Sequence, residues 1–308
     1  LAMSQKSSEL KAQGVDVINL SVGEPDFNTP ENIKKAAIKA VNDNFSHYSP
    51  VPGYPVLREA IAGKLKRENG LEYATSQILC SNGAKQSVCN VIMSIIQAGD
   101  EVIIPAPYWV SYPQMVKLAE GEPVCVSAGI EQDFKITPAQ LEAAITPHTR
   151  ALIICSPSNP TGSIYSRAEL EALAEVLKKH ERIIVLSDEI YEHINYVGEH
   201  ASMAQVDGMK ERTVIINGVS KAYAMTGWRI GFIAGPEWIV KACNKLQGQY
   251  TSGPCSVSQI AAAEAFAGDQ TCVEQMRQAF EKRKNLIVGL MKDIPGIEVN
   301  DPHGAFYV

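Results

Sequence analysis

The chain has 308 residues, 45% of them hydrophobic and 20% charged, with a net charge of −6. That length suits about two domains with an ample core, and the composition excludes a disordered chain. The acidic balance lacks the footprint of a nucleic-acid-binding domain, and no apolar run approaches the roughly 18–20 residues that span a bilayer.

The opening segment LAMSQKSSEL shows no basic start followed by an apolar stretch, so no signal peptide is expected, and it enters a helical pattern without a capping residue. Thr29-Pro30-Glu31 sets a capping hydroxyl before a proline at the first helical position, with Ile33, Ala37, Ala40 and Val41 on one face. Leu57, Ile61 and Leu65 mark a second helix. Short β-rich runs follow at Glu101–Ile104, Ala151–Cys155, Arg182–Leu186, Thr213–Ile216 and Ile230–Ala234. Between them, Thr137-Pro138-Ala139-Gln140 and Ser166-Arg167-Ala168-Glu169 fit capping boxes that open helices. Most of the β-rich runs are continuously apolar, as for strands covered on both faces, and the alternation predicts a parallel sheet with crossover helices. From Gln270 to Ile294 a long helical pattern carries Val273, Met276, Phe280, Ile287 and Leu290, and it is expected to lead into a smaller domain. The last residues, His303 to Val308, look like a strand cut midway, so both ends are expected to lack residues of the full protein.

In open α/β sheets ligands bind at the carboxyl ends of the strands. Ser81-Asn82-Gly83-Ala84-Lys85-Gln86 precedes a helix pattern through Val88, Val91, Ile92 and Ile95. Small residues at a helix start leave N–H groups aimed at an anion, although a plain helix start with an exposed lysine gives the same pattern. Pro107-Tyr108-Trp109 offers either a core aromatic or a stacking face for a flat ligand. In Ser156-Pro157-Ser158-Asn159-Pro160-Thr161-Gly162 two prolines hold the Asn159 amide in one direction, as they would in an ordinary turn. Asp188 and Tyr191, three residues apart, can share one face of a turn. The carboxylate would suit a ring N–H and the phenol a ring oxygen; taken alone, the acid is better explained as a helix cap.

Lys221 lies in Asn217-Gly218-Val219-Ser220-Lys221-Ala222-Tyr223, among small and apolar residues. Such surroundings desolvate the ammonium and lower its pKa, as a Schiff-base lysine requires, whereas a surface lysine is the commoner case. Arg229, eight residues on, can pair with a phosphate. Neither a P-loop nor a G-x-G-x-x-G pattern is present. Together these turns supply a phosphate cradle, a stacking ring, partners for a ring nitrogen and a ring oxygen, and a buried lysine. Those are the parts needed to hold pyridoxal phosphate. The six histidines show no zinc-type spacing, so no metal is expected. Cys80, Cys89, Cys125, Cys155, Cys243, Cys255 and Cys272 are scattered without C-x-x-C. They are expected to be buried thiols in a reducing compartment, the cytoplasm.

With Asn-Pro-Thr-Gly at 159–162, Asp-Glu-Ile-Tyr at 188–191 and Ser-Lys-Ala-Tyr-Ala-Met-Thr-Gly-Trp-Arg at 220–229, the sequence resembles the fold-type I pyridoxal-phosphate aminotransferases of class I. Within them it is similar to the bacterial aspartate aminotransferase group. The likeness runs from Asn19-Leu20-Ser21-Val22-Gly23 to Gly304-Ala305-Phe306-Tyr307. It implies an α/β fold, with a large cofactor-binding domain (28–275) built on a mostly parallel sheet flanked by helices. A smaller α+β domain (1–27 and 276–308) would be incomplete here.

By the same resemblance, Lys221 forms the internal aldimine, Arg229 binds the phosphate, Asp188 meets the pyridine nitrogen, and Asn159 and Tyr191 meet the ring oxygen. Trp109 falls on the stacking aromatic, and Ala84 and Lys85 on the helix start whose backbone holds the phosphate. Tyr48 falls on the tyrosine that reaches the neighbouring subunit's phosphate, which implies a homodimer with shared active sites. Gly23 falls on the glycine that contacts the α-carboxylate, and Lys85, Trp109 and Asn159 belong to the implied substrate site. At Gly218 many relatives carry a phosphate-binding hydroxyl, which Ser220 would replace, and the family's carboxylate-binding arginine belongs beyond Val308. The implied reaction is ping-pong amino transfer between an L-amino acid, aspartate first, and 2-oxoglutarate, with Lys221 carrying the α-proton. Lys85 matches a lysine that in one branch recognises a distal carboxylate. An aromatic or prephenate-type aminotransferase and a non-catalytic cofactor-sensing domain are the alternatives. No nucleic acid or membrane partner is expected.

Overall fold

The computed structural model describes residues 2–20 and 22–308; Leu1 of the opening segment and Ser21, in the stretch that carries the resemblance, lie outside the described residues. In chain order the elements are α1 (Ala2–Ala12), α2 (Glu31–Asn42), α3 (Pro55–Asn69), β1 (Ile78–Ser81), α4 (Ala84–Ile95) and β2 (Glu101–Ala106). Next come α5 (Ser111–Leu118), β3 (Glu122–Ser127), α6 (Pro138–Ala144), β4 (Thr149–Cys155), α7 (Arg167–Leu177) and β5 (Ile184–Asp188). The rest are β6 (Thr213–Gly218), β7 (Gly231–Ala234), α8 (Glu237–Tyr250), α9 (Ser256–Ala267) and α10 (Thr271–Lys292).

The seven strands form one sheet in the order β1-β7-β6-β5-β4-β2-β3. The β2–β3, β2–β4, β4–β5 and β5–β6 pairs are parallel, while β7 runs antiparallel to both β6 and β1. The sheet is therefore mixed, with one reversed strand. Alternate residues of each strand feed opposite faces. Ala151 and Ile153 of β4 join Val88, Ile92, Val116 and Ile239 from α4, α5 and α8. Leu152 and Ile154 join Leu141, Leu170 and Leu173 from α6 and α7. Towards the β1 edge, Ile215 and Phe232 pack with Ile33, Leu57, Ile61 and Phe266 from α2, α3 and α9. Both faces being covered explains why the central strands read as unbroken apolar runs.

Both capping boxes form as the sequence indicates, Thr137 with Gln140 and Ser166 with Glu169. Several expectations need correction. Thr29 does not cap α2: its hydroxyl donates to the Ala224 carbonyl (2.8 Å) and accepts from Trp228 Nε1 (3.0 Å), so it ties the helix entry to the loop after β6. Val41, Ile287 and Leu290 are exposed, whereas Ile33, Ala37 and Ala40 on α2 and Val273, Met276 and Phe280 on α10 are buried. Residues 303–308 form no strand; Gly304 makes a single antiparallel bridge to Asn195. Cys125 and Cys255 are exposed and only Cys80 and Cys243 are fully buried, all seven being free thiols. Strands β1 and β3 escape the sequence pattern because β1 offers three apolar residues before Ser81 and β3 is a half-exposed edge containing Pro123.

Candidate active site

Because β7 opposes both of its neighbours, β1 and β6 run in the same direction, and β1, β2, β4, β5 and β6 all end at one edge. A cavity of about 340 Å³ lies there, lined by turns that follow these strands. Gly23, Ala84, Lys85, Trp109, Asn159, Asp188, Tyr191, Ser220, Lys221 and Arg229 all line it. Tyr48 does not: its side chain is 99% exposed, in a shallow depression shared with His47, Pro254 and Ser256.

An anion cradle occupies one side. Helix α4 starts at Ala84 with Gly83 as its N-cap and no side-chain cap, so its first N–H groups keep their positive end towards the cavity. Gly83 has φ +83°, and a Cβ there would lie 2.1 Å from Arg229 Nη2. The glycine thus lets the guanidinium lie directly against the helix start. Arg229 donates to the carbonyls of Thr226 (2.8 Å) and Asn82 (3.1 Å) and has no carboxylate partner among the described residues. Its own φ of +55° is a left-handed conformation that costs a non-glycine residue roughly 1–2 kcal/mol. Gly231, which opens β7, is pressed so closely on this helix start that a Cβ would meet Ala84 N at 2.2 Å.

Asp188 ends β5 and is 4% exposed. Burial pushes its carboxyl up to about 6, although it accepts from Tyr112 Oη (2.6 Å) and from the Ile190 N–H (3.3 Å). No cation lies within ion-pairing distance of it among the described residues. Lys221 follows β6, and burial lowers its ammonium to about 8. Its Nζ donates to the Gly23 carbonyl and lies 5.8 Å from the Tyr191 ring centre. The Tyr191 hydroxyl is 2.6 Å from that of Tyr307. Lys85 Nζ sits 4.8 Å above the Trp109 ring, which packs edge-on against Tyr112.

Tyr112, Cys155, Ile190, Thr226 and Tyr307 also line the cavity and were not singled out from the sequence. Tyr112 stands three residues after Trp109, in the first turn of α5, and that spacing is the signal that could have found it. Behind the turn at 188–193 lies a second group without a sequence signal. Fully buried Lys64 on α3 pairs with Glu192, which also accepts from Asn69 Nδ2 (3.0 Å) and Asn217 Nδ2 (2.7 Å). Burial alone would raise the Glu192 carboxyl, but Lys64 and the neighbouring imidazoles outweigh it and hold it well below the usual range. Asp188 and Tyr191 therefore face the cavity from a turn whose other face is anchored through buried charge.

Chemically, the cavity can bind a phosphorylated, flat, cationic heteroaromatic and present a partly deprotonated amine to it. The sequence matches the family model described as aminotransferase class I and II over residues 15–308. An aspartate/prephenate aminotransferase of Cereibacter sphaeroides is 50% identical, the match covering the whole of this chain and 78% of the relative. An aspartate aminotransferase of Geobacillus stearothermophilus is 52% identical over the whole chain and 79% of its own length. The solved structure of Thermus thermophilus aspartate aminotransferase with maleate superposes with a TM-score of 0.95 at 42% identity, covering 99% of this chain and 79% of the other. The helix-start cradle, the buried aspartate and the desolvated lysine thus coincide with a match along nearly the whole sequence, and the chain belongs to the class I and II aminotransferase family.

Proposed function

We propose that this aminotransferase uses pyridoxal 5'-phosphate to move an amino group between L-aspartate and 2-oxoglutarate. The observation that carries the reading is one cavity holding a desolvated amine (Lys221), a buried carboxylate without a cation (Asp188) and an uncapped helix start beside Arg229. The residues fit the cofactor. A phosphate would meet Arg229 and the first turn of α4, which has no side-chain cap among the described residues. A protonated ring nitrogen would give Asp188 the cation it lacks.

When bound, pyridoxal phosphate supplies a carbonyl carbon that captures amines and a ring that takes up electrons from the substrate's α-carbon. Lys221 Nζ, with its pKa lowered to about 8, is partly unprotonated near neutral pH and can take the α-proton and return it. Asp188 favours a proton on the ring nitrogen by charge pairing in a poorly hydrated site, and Tyr112 fixes that carboxylate. Tyr191 and Asn159 serve the ring oxygen, Trp109 and Ser220 the ring and phosphate, and Gly23 the α-carboxylate. Lys85, an exposed cation at the cavity's rim, suits the distal carboxylate of a dicarboxylic substrate. The two relatives' names and the maleate complex of the Thermus structure support the same substrate class. A second acceptor, prephenate, is supported by the name of the Cereibacter relative and by those of several other relatives of similar identity.

The same reading includes a homodimer in which Tyr48 serves the partner's phosphate, consistent with its exposure outside the cavity. It also includes a cytoplasmic location and a division into a large domain at 28–275 and a small one from 1–27 and 276–308. Phe27, Phe280 and Phe306 of the two small-domain segments cluster together, and Ile190, Tyr191 and Ile194 of the large domain pack into the same cluster. No helix among the described residues is long and apolar enough to cross a membrane. A coupled transamination assay with a panel of amino acids and oxo acids tests the function. Aspartate with 2-oxoglutarate should give the highest kcat/KM. Cofactor binding without turnover on any pair would instead favour a sensing role and overturn the assignment.

A further inference from the structure

The C-terminal stretch is held against the cavity by its backbone. The Ala305 N–H donates to Ile194 O (2.7 Å), the Tyr196 N–H to His303 O (2.8 Å), and the N–H groups of His303 and Gly304 to Gly162 O (3.0 and 2.9 Å). The Tyr196 hydroxyl donates to the Ala305 carbonyl. Gly162, the last residue of the Asn-Pro-Thr-Gly turn, has φ +69°, and a Cβ there would lie 2.5 Å from Pro302 Cβ and 2.8 Å from Gly304 O. The turn that carries Asn159 is thus also the seat of the C-terminal stretch.

What this anchoring delivers to the cavity is one side chain. Tyr307 stands edge-on to Tyr191 with ring centres 5.6 Å apart and hydroxyls 2.6 Å apart. Its Oη is packed so tightly on the N-terminal segment that a Cβ at Gly23 would lie 2.1 Å away. The phenol is therefore boxed between Tyr191 and Gly23.

Each phenol carries one proton and can accept at its oxygen. With no ligand oxygen in front of it, either tyrosine can donate to the other. Once Tyr191 spends its proton on a ligand oxygen, the short contact survives only if Tyr307 donates. A phenol that accepts one hydrogen bond while giving another is polarised into a stronger donor. Resting on the cofactor reading above, we infer that Tyr307 is a positioning residue that acts through Tyr191, donating to its hydroxyl so that the Tyr191 proton is directed at the ring oxygen of the ligand.

The test is a pH titration of the visible absorption band of cofactor-loaded full-length protein, comparing wild type, Tyr307→Phe, Tyr191→Phe and the double variant. A bound cofactor's ring oxygen would carry its full negative charge only in the deprotonated form, the form that a phenol donor stabilises more. Weakening the phenol donor therefore costs the deprotonated form more, and the midpoint moves to higher pH. Tyr307→Phe leaves the Tyr191 bond in place and removes only its cooperative strengthening, about 10–30% of a charge-assisted bond, which predicts a rise of about 0.1–0.6 pH unit. Tyr191→Phe should shift it at least as far, and the double variant should match Tyr191→Phe. An unchanged midpoint in Tyr307→Phe, or a shift that persists in full on top of Tyr191→Phe, overturns the relay. A wild-type protein with no visible band after incubation with pyridoxal phosphate overturns the cofactor assignment itself, and this role with it.

Discussion

Asp188→Asn separates the carboxylate's cost to folding from its use in binding. Its folded value of about 6 lies above its ordinary 3.8 because of burial. An acid whose folded pKa is raised binds its proton more tightly when folded. Its penalty is therefore absent below about pH 4 and fully present above about pH 6. The difference corresponds to about 3 kcal/mol at pH 8 and roughly half that at pH 5. Asparagine carries no charge and keeps an oxygen to accept from Tyr112 Oη. Urea unfolding of cofactor-free protein, followed by circular dichroism at pH 5 and pH 8, should show the variant more stable, with a gap that widens as pH rises. Saturating pyridoxal phosphate should reverse the order, because only the carboxylate gains a cationic partner, and the variant's kcat should fall by orders of magnitude. An asparagine variant less stable than wild type at pH 8 without cofactor, or a gap that does not change with pH, would refute the reasoning.

Four further outcomes follow from the same geometry. Lys221→Ala should lose the visible absorbance and nearly all turnover, and borohydride should no longer fix labelled cofactor to the chain; retained wild-type turnover would remove Lys221 from the mechanism. Lys85→Ala should raise KM for aspartate far more than for an uncharged amino acid, as steady-state kinetics on both substrates would report. Gly231→Ala drives a Cβ into Ala84 N, so about 1–3 kcal/mol of overpacking strain and at least tenfold weaker cofactor binding are expected from unfolding and fluorescence titrations. Lys64→Met strands the Glu192 charge and should cost about 3–5 kcal/mol in urea unfolding, with much of the loss recovered when Glu192→Gln is added.

The covered strands β4, β5 and β6 were legible in the sequence because a strand buried on both faces needs apolar residues at every position, and capping boxes at Thr137 and Ser166 are local chemistry. The polar turns after them were legible for a related reason: a sheet edge that binds a ligand breaks the apolar run at a fixed place. Thus Asn159, Asp188, Lys221 and Arg229 stand out in the sequence, and all four line the cavity. What local pattern could not show is which distant group meets which. Thr29 leaves its helix for Ala224 because a hydroxyl 195 residues away in sequence lies next to that carbonyl in space. β7 reverses direction though its composition is like that of its neighbours, since strand direction is set by the connections and not by side chains. Tyr112 on Asp188, Tyr307 on Tyr191 and Lys64 on Glu192 join residues 76, 116 and 128 positions apart. Residue type and spacing report only the local conformational preferences of a chain; contacts across such separations exist only after the sheet has formed and its helices have packed on it.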